Sequence, residues 1–307
     1  MQVPYYPGCT LKERALALEQ STHEAAALLD LELVEIEDWT CCGASYPLTA
    51  ERTANLIPLV RIFNRVKDTG AGALVTTCSF CFNSLRRANF YMENDPIIRR
   101  RVNAYLADDK PRRDYDQEPA QPYTEYRGEV RILHLLEVLR DLVSFRNIRR
   151  AVDHELPHIV AAPYYGCMLL RPANELLFDD PESPTIMSDF LRACHCGVAE
   201  FPLMNECCGS YVSMPHEHEV LAAVHRIIAS ARSCGANCLV TTCPLCFYNL
   251  DRQQEAVAAA YQEFERMPVF YFTQLLGASL GVPLDKLGFD SHAVNPLPLL
   301  TQQEVPA

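Results

Sequence analysis

One arrangement of five cysteines occurs twice in this 307-residue chain, and it constrains the fold more than any other feature. Each copy contains a single cysteine, an adjacent Cys-Cys pair followed by glycine, and a Cys-x-x-Cys motif. The intervening segments are 31, 35 and 2 residues long in the first copy, and 39, 34 and 2 in the second. The ten cysteines are Cys9, Cys41, Cys42, Cys78, Cys81, Cys167, Cys207, Cys208, Cys243 and Cys246.

Residues around these cysteines are repeated as well, which indicates a duplicated domain. The sequence Leu-Val-Thr-Thr-Cys occurs at 74–78 and again at 239–243, and Pro-Tyr-Tyr occurs shortly before the first cysteine of each copy. Corresponding cysteines are 158 to 166 positions apart, a period far too long for a solenoid. We therefore predict two similar domains, at residues 1–150 and 151–285. A polar surface excursion is expected near 107–128, and 286–307 are expected to form a disordered C-terminal tail.

Short apolar runs with strand character alternate with stretches of helical length in both halves. The predicted strands are residues 3–6, 31–36, 73–76, 130–133, 158–162, 198–201, 238–241 and 269–272. Such alternation is typical of α/β domains with mainly parallel sheets flanked by helices. The repeated cysteines follow predicted strands, directly or closely, and the loops at the carboxyl ends of parallel strands meet at one edge of a sheet. Each set of five thiols should therefore converge there.

The composition limits what these thiols do. The chain has no apolar stretch of the ~20 residues that a membrane span needs, and its N-terminus does not resemble a signal peptide. We expect a cytoplasmic protein that meets a membrane only through its partners. In that reducing compartment, clustered cysteines indicate metal or redox chemistry and not disulfides. The formal net charge of −12 argues against nucleic acid as a partner.

The number of thiols in each set favours an iron–sulfur cluster over zinc. Zinc and an ordinary cubane cluster each take four ligands, whereas each set offers five. Five thiols indicate a larger or distorted cluster, or four ligands and one reactive thiol. A zinc site and a metal-free redox site remain alternatives at this point.

Two copies of Cys-x31–39-Cys-Cys-Gly-x33–34-Cys-x-x-Cys resemble the cysteine-rich CCG domain, and a chain of this length with two copies resembles the B-type subunit of heterodisulfide reductase. The resemblance covers almost the whole chain. It implies a non-cubane [4Fe–4S] cluster on each set, with all ten cysteines as ligands and Cys42 and Cys208 as catalytic residues acting through the clusters. In the methanogen enzyme, the two clusters face each other across the substrate disulfide.

The resemblance also implies partners, because the chain has no Gly-x-Gly-x-x-Gly motif for a flavin or nucleotide of its own. Electrons would come from the two other components of a heterodisulfide reductase, which are a small C-type subunit with cubane clusters and an A-type subunit with a flavin. One alternative is a CCG subunit of an unconventional succinate dehydrogenase, which relays electrons to or from quinone. A second alternative is an interaction module stabilised by zinc.

Several other residues receive structural interpretations. Cys194, Cys196, Cys234 and Cys238 lie outside the repeat and are predicted to be core or incidental thiols. His134 is predicted to cap or pack at a helix start, with proton donation to a thiolate product as the alternative. Tyr5, Tyr6, Tyr164 and Tyr165 are predicted to pack in strands, and Trp39 to shield the first cluster from water.

Overall fold

The computed structural model describes residues 1–44, 52–107, 123–210 and 217–301. Most of the predicted excursion, residues 108–122, lies outside these ranges. The described residues group into two compact units. The first unit comprises those of Met1–Cys9 and Leu33–Leu135, and the second comprises Thr10–Glu32 and those from Leu136 onwards.

The first unit contains a four-stranded sheet with the strand order β2-β1-β3-β4. Its strands are β1 (Gln2–Tyr5), β2 (Glu32–Glu35), β3 (Ala73–Thr76) and β4 (Arg131–His134). β1 pairs with β3 and β3 with β4, both in parallel. The helices of this part of the chain are α1 (Cys9–Glu13), α2 (Leu16–Ala27), α3 (Arg52–Asp68), α4 (Ser79–Asn94) and α5 (Pro96–Ala107).

The second unit repeats this design, with the strand order β6-β5-β7-β8. Its strands are β5 (Val160–Tyr164), β6 (Gly197–Val198), β7 (Cys238–Thr241) and β8 (Val269–Tyr271), and all three pairings are parallel. Its main helices are α9 (Ile186–Ala193), α10 (Glu217–Ser233) and α13 (Phe272–Ser279). The shorter helices are α6 (Leu135–Val138), α7 (Phe145–Ala151), α8 (Ala173–Leu176), α11 (Pro244–Phe247), α12 (Gln254–Ala260) and α14 (Leu297–Leu300).

The predicted α/β class, with two parallel four-stranded sheets flanked by helices, is confirmed. Helix α10 shows why these residues form these elements, since its buried side chains recur at every third or fourth position, from Val220 to Ala231. β7 is buried at every position, as is typical of a strand inside a parallel sheet.

The compact units do not follow the limits of the sequence repeat. Helix α2 lies within the first repeat, yet it packs against α13 and belongs to the second unit. Ser21 Oγ, on α2, lies 2.6 Å from Thr273 Oγ1, on α13, in a buried hydrogen bond. The limits 1–150 and 151–285 therefore stay a prediction about the repeat.

The expectation of a disordered C-terminal tail is wrong for residues 286–301. Short 3-10 helices at Leu284–Lys286 and Phe289–Ser291 precede α14. The buried carboxylate of Asp251 accepts hydrogen bonds from the backbone N–H groups of Ala293, at 2.6 Å, and Val294, at 3.1 Å. Polar anchors of this kind hold a segment whose prolines suggested an unstructured chain.

Within the described ranges, no helix is both long enough and apolar enough to cross a membrane.

Candidate metal centres

The first five-cysteine set lies at one edge of the first sheet. Cys9 follows β1, the Cys41–Cys42 pair follows β2, and Cys78 follows β3, with Cys81 in the first turn of α4. Because β2, β1 and β3 are neighbours, the loops after them meet at their carboxyl ends. Cys78 is also the N-terminal cap of α4, and after the side chain of Cys81, the backbone N–H groups of Cys81 and Phe80 at this helix start lower the pKa of its thiol. Free N–H groups at a helix start favour a thiolate.

The sulfur atoms of this set form a continuous series of contacts. Cys9 Sγ lies 3.5 Å from Cys41 Sγ. Cys41 hydrogen-bonds to Cys42, Cys42 to Cys81, and Cys81 to Cys78 through their side chains. The structure therefore brings together all five cysteines that the sequence pattern selected in the first half.

The second set has the same arrangement within the second unit. Cys167 Sγ lies 4.0 Å from Cys207 Sγ, and Cys208 Sγ lies 3.4 Å from Cys246 Sγ. Cys243 completes the set by a side-chain hydrogen bond to Cys246. The convergence of all five thiols in each unit is thus a property of the fold, while their role as ligands remains a prediction.

Each set contains thiols that are poised to lose their protons. Hydrogen bonds from Cys41 and then Cys81 lower the pKa of Cys42 to about 5, and a hydrogen bond from Cys167 lowers the pKa of Cys207 to about 6. The pKa values of Cys78 and Cys208 are lowered in the same way, by Cys81 and Cys246. The donors themselves, Cys41, Cys81, Cys167 and Cys246, have raised pKa values. Metals bind the thiolate form, so this donor set fits a metal cofactor.

Two glycines leave room for these sulfurs. Gly8 has φ +78°, and a Cβ atom built on it would lie 2.6 Å from Cys81 Sγ. Gly166 has φ +63°, and its Cβ would lie 3.1 Å from Cys246 Sγ. Both the left-handed backbone and the close approach of sulfur require glycine here.

Polar residues that the sequence analysis missed support the Cys-Cys loops. Asn249 Nδ2 donates to the Cys208 carbonyl at 2.9 Å, and the buried side chain of Ser84 makes a minor contribution to the lowered pKa of Cys42. Ser210 Oγ lies 3.0 Å from Cys208 Sγ. Ser84 and Asn249 are 165 positions apart, as are Cys81 and Cys246. This constant offset is the signal that could have identified them.

His134 ends β4 and directly precedes α6, so it lies at a helix start, as predicted. Strand register pairs it with Thr76, just as Tyr271 pairs with Thr241, so its counterpart in the second unit is Tyr271. Its ring is buried, with Nε2 2.9 Å from the Thr77 carbonyl, and burial lowers its pKa to about 3. A neutral, fully buried imidazole supports the packing interpretation over proton donation.

The other cysteines and Trp39 lie outside the two sets. Cys194, Cys196 and Cys238 are buried, and burial raises the pKa of each, that of Cys196 to about 12, so they are protonated thiols, whereas Cys234 is exposed. Trp39 packs edge-on against Tyr6, with ring centroids 5.5 Å apart. Its predicted shielding of the first cluster stays a prediction.

No group of three or more His, Cys, Asp or Glu side chains in the described part of the chain has the arrangement of a site for a single metal ion. Fold and site together define a duplicated α/β protein with one five-thiol centre in each unit.

Comparison with known proteins agrees with this class. The model of the cysteine-rich CCG domain matches residues 3–86 and 161–251. These two matches cover more than half of the chain, and each spans one complete five-cysteine set. The chain therefore belongs to the CCG cysteine-rich domain family, and the predicted resemblance is confirmed.

Two kinds of full-length relative stand out. The 8-methylmenaquinol:fumarate reductase membrane anchor subunit of Wolinella succinogenes is 31% identical over 95% of this chain and 96% of its own length. The B-type subunit of the ferredoxin/F420H2-dependent CoB-CoM heterodisulfide reductase of Methanosarcina acetivorans is 25% identical, over 97% and 95%. Among solved structures, a hypothetical protein from Helicobacter pylori has a TM-score of 0.69 at 13% identity. That match covers 95% of this chain and 51% of the other, and it shows the fold alone.

Proposed function

We propose that this chain is the iron–sulfur catalytic subunit of a heterodisulfide reductase-like complex, with one non-cubane [4Fe–4S] cluster on each five-cysteine set. The observation that carries the proposal is that both sets are complete and that each converges within its own unit. The relatives named as B-type subunits of heterodisulfide reductases support it, since the match extends over nearly the whole chain.

When bound, the two clusters would supply the two electrons that, with two protons, convert a disulfide into two thiols. The chain contributes the ten cysteines as ligands, and its glycines at positions 8 and 166 leave space for bulky sulfur groups. Cys42 and Cys208 are the proposed catalytic residues, since both are buried members of the Cys-Cys pairs with lowered pKa values. Electrons would arrive from a small cubane-cluster subunit and a flavin subunit.

Anaerobic purification followed by iron, sulfide and zinc analysis tests the cofactor. Two four-iron clusters predict about eight irons per chain. About four irons would mean that one set is empty. Zinc without sulfide would contradict the proposal and support the zinc-stabilised interaction module.

A second function is favoured by the identity to the Wolinella protein, which exceeds that to the Methanosarcina proteins. In this alternative, the chain is a CCG subunit of a succinate dehydrogenase or fumarate reductase type of complex. Its two centres would then relay electrons to or from a quinone.

Activity of the purified protein separates the two functions. With a reduced viologen dye as donor, heterodisulfide reductase activity predicts disulfide-dependent oxidation of the dye. The relay function predicts turnover with a soluble quinone and none with disulfides. Subunits that co-purify with the chain give an independent answer, because a flavin subunit with a dicarboxylate site would support the second function.

A further inference from the structure

A buried tyrosine occupies an equivalent position in each unit, at or directly after the end of the strand that precedes the first cysteine of the set. Tyr6 and Tyr164 each lie three residues before the first cysteine of a set, and they are 158 positions apart, as are Cys9 and Cys167. Tyr6 donates a hydrogen bond to the Thr40 carbonyl, with an O···O distance of 2.7 Å. Tyr164 donates to the Glu206 carbonyl, also at 2.7 Å.

Both acceptors are the residues directly before a Cys-Cys pair. Each tyrosine therefore ties the end of the first strand of its sheet to the loop that carries the pair. The two tyrosine side chains are buried, whereas the acceptor residues Thr40 and Glu206 are exposed, so each bond is partly shielded from water. The equivalent hydrogen bond is therefore present in both copies of the duplicated domain.

The hydroxyls remain donors under ordinary conditions. Burial raises the pKa of Tyr6 and of Tyr164 far above the usual value, and the thiols of the adjacent set raise it further. A neutral phenol next to several thiolates keeps its proton and its bond to the carbonyl.

A backbone hydrogen bond holds the same loop from its other side. The Gly43 N–H group bonds to the Cys41 sulfur, and the Gly209 N–H group bonds to the Cys207 sulfur at 3.3 Å. Because the peptide group is planar, fixing the carbonyl before a cysteine also fixes the N–H group of that cysteine. The first cysteine of each pair is thus held through its own sulfur and through the peptide that precedes it.

We infer that Tyr6 and Tyr164 are positioning residues, which hold Cys41 and Cys207 in the orientation needed to bind a metal centre. They act through the backbone and touch no metal themselves. This inference rests on the proposed function to the extent that the cysteine sets bind metal. It does not depend on the metal being iron or on the substrate.

Tyrosine-to-phenylalanine variants test the hydroxyl alone, because phenylalanine keeps the buried ring. The matched controls are Tyr126→Phe in the first unit and Tyr165→Phe in the second. Tyr126 is buried and its hydroxyl bonds to Asn89, whereas the Tyr165 hydroxyl accepts from the Met187 N–H at 3.0 Å. No cysteine influences the pKa of either control residue. Each control therefore loses a buried hydroxyl without changing a cysteine loop.

The full-length, metal-loaded protein is mixed anaerobically with a chelator, and metal release is followed with time. One hydrogen bond is worth about 1 kcal/mol, which corresponds to about fivefold in rate. We expect Tyr6→Phe to release about half of its metal about fivefold faster than the parent, and the rest at the parental rate. Tyr164→Phe should show the same two phases, the double variant a single fast phase, and both controls the parental rate.

A redox titration followed by electron paramagnetic resonance adds a readout that general loosening would not change selectively. Hydrogen bonds to cluster sulfurs tune the reduction potential. A weakened Gly43 or Gly209 contact should lower the potential of one cluster in each single variant and leave the other unchanged.

Two results would overturn the inference. One is release rates and potentials in Tyr6→Phe and Tyr164→Phe that match those of the controls. The other is acceleration of both halves of the metal pool by either variant, together with a lower melting temperature, which would show a general structural role. Metal analysis of the parent separates these failures from failure of the proposed function. If the parent contains zinc, the iron–sulfur proposal is contradicted, but the metal-release experiment still tests the role of the two tyrosines. If the parent binds no metal, both the proposed function and this inference are refuted.

Discussion

Replacing Gly8 with alanine tests whether the metal centre depends on the close approach of sulfur to the backbone. Gly8 has φ +78°, where an alanine costs about 1–2 kcal/mol relative to glycine. The added Cβ would also lie 2.6 Å from Cys81 Sγ, a separation that ordinary van der Waals contact does not allow. Because Cys81 is a predicted ligand, the substitution should displace it from the first set.

Gly70→Ala is a matched control for the backbone cost. Gly70 lies in the same unit with φ +77°, and a Cβ there would meet no atom within 4 Å. In the second unit, Gly166 and Gly235 form the corresponding pair. A Cβ atom added at Gly166 would lie 3.1 Å from Cys246 Sγ, whereas one added at Gly235 would meet no atom within 4 Å. The longer contact at Gly166 requires a shift of only a few tenths of an ångström. Its alanine variant should therefore lose less metal.

The assay combines metal content with anaerobic thermal unfolding. We expect Gly70→Ala and Gly235→Ala to keep the full metal complement while losing about 1–2 kcal/mol, which lowers the melting temperature by roughly 2–4 °C per kcal/mol. Gly8→Ala should lose more stability than Gly70→Ala and about half of the metal, since metal binding and folding of the site are coupled. Parental metal content in Gly8→Ala, with stability equal to that of Gly70→Ala, would refute the reasoning.

Three further predictions concern single side chains. Cys42→Ala or Cys208→Ala should abolish disulfide reduction while the other cluster remains reducible by a dye donor, and substantial disulfide turnover after loss of one whole cluster would favour the relay function. Burial lowers the pKa of the His292 imidazole to about 4 in the folded protein. In the unfolded chain the imidazole has its ordinary pKa near 6.5, so on acidification the unfolded chain takes up this proton first. Stability should therefore fall as the pH drops from 6.5 to 4, by about 1.4 kcal/mol per pH unit for this group, and His292→Phe should give a shallower slope in urea titrations at several pH values; an unchanged slope would be inconsistent with a neutral His292. Gln254→Leu should cost about 2–5 kcal/mol in urea unfolding, because the buried amide of Gln254 accepts from the Met267 N–H and donates to the Leu250 and Met267 carbonyls; a loss below 1 kcal/mol would show that water replaces these bonds.

Most of the strands could be predicted from the sequence, because buried strands of a parallel sheet are short apolar runs. Ala73–Thr76 and Cys238–Thr241 have the predicted limits. The stretch 247–266 has the length and composition of a single helix, but the structure interrupts it with a π-helix at Tyr248–Arg252 and ends it at Ala260. Hydrogen bonds between the Gln254 side chain and the Met267 backbone hold the segment after Ala260 against the helix. Periodicity does not reveal a tertiary contact of this kind.

The spacing of the cysteines predicted which thiols converge. Sequence identity between the two Pro-Tyr-Tyr segments, however, indicates the wrong pair of equivalent tyrosines. The two Pro-Tyr-Tyr sequences align Tyr5 with Tyr164, whereas the geometry equates Tyr6 with Tyr164. Strand register agrees, because Tyr5 pairs with Val75 and Pro163 with Val240. Distance along the chain from the first cysteine is the better guide, since the hydrogen bond to the Cys-Cys loop depends on that distance.

The two centres have the same set of thiols but different surroundings. Phe80 and Leu245 occupy the same place between the cysteines of the Cys-x-x-Cys motif, yet Phe80 is buried and Leu245 is 37% exposed. Two residues after each motif, Asn83 is fully buried and Tyr248 is 51% exposed. A duplication that served only to hold two metal centres would not require this difference. Since the thiol sets match while the side chains around them do not, we expect a difference in reduction potential between the two proposed clusters to originate in these outer residues. We expect selectivity for a substrate or a redox partner to have the same origin.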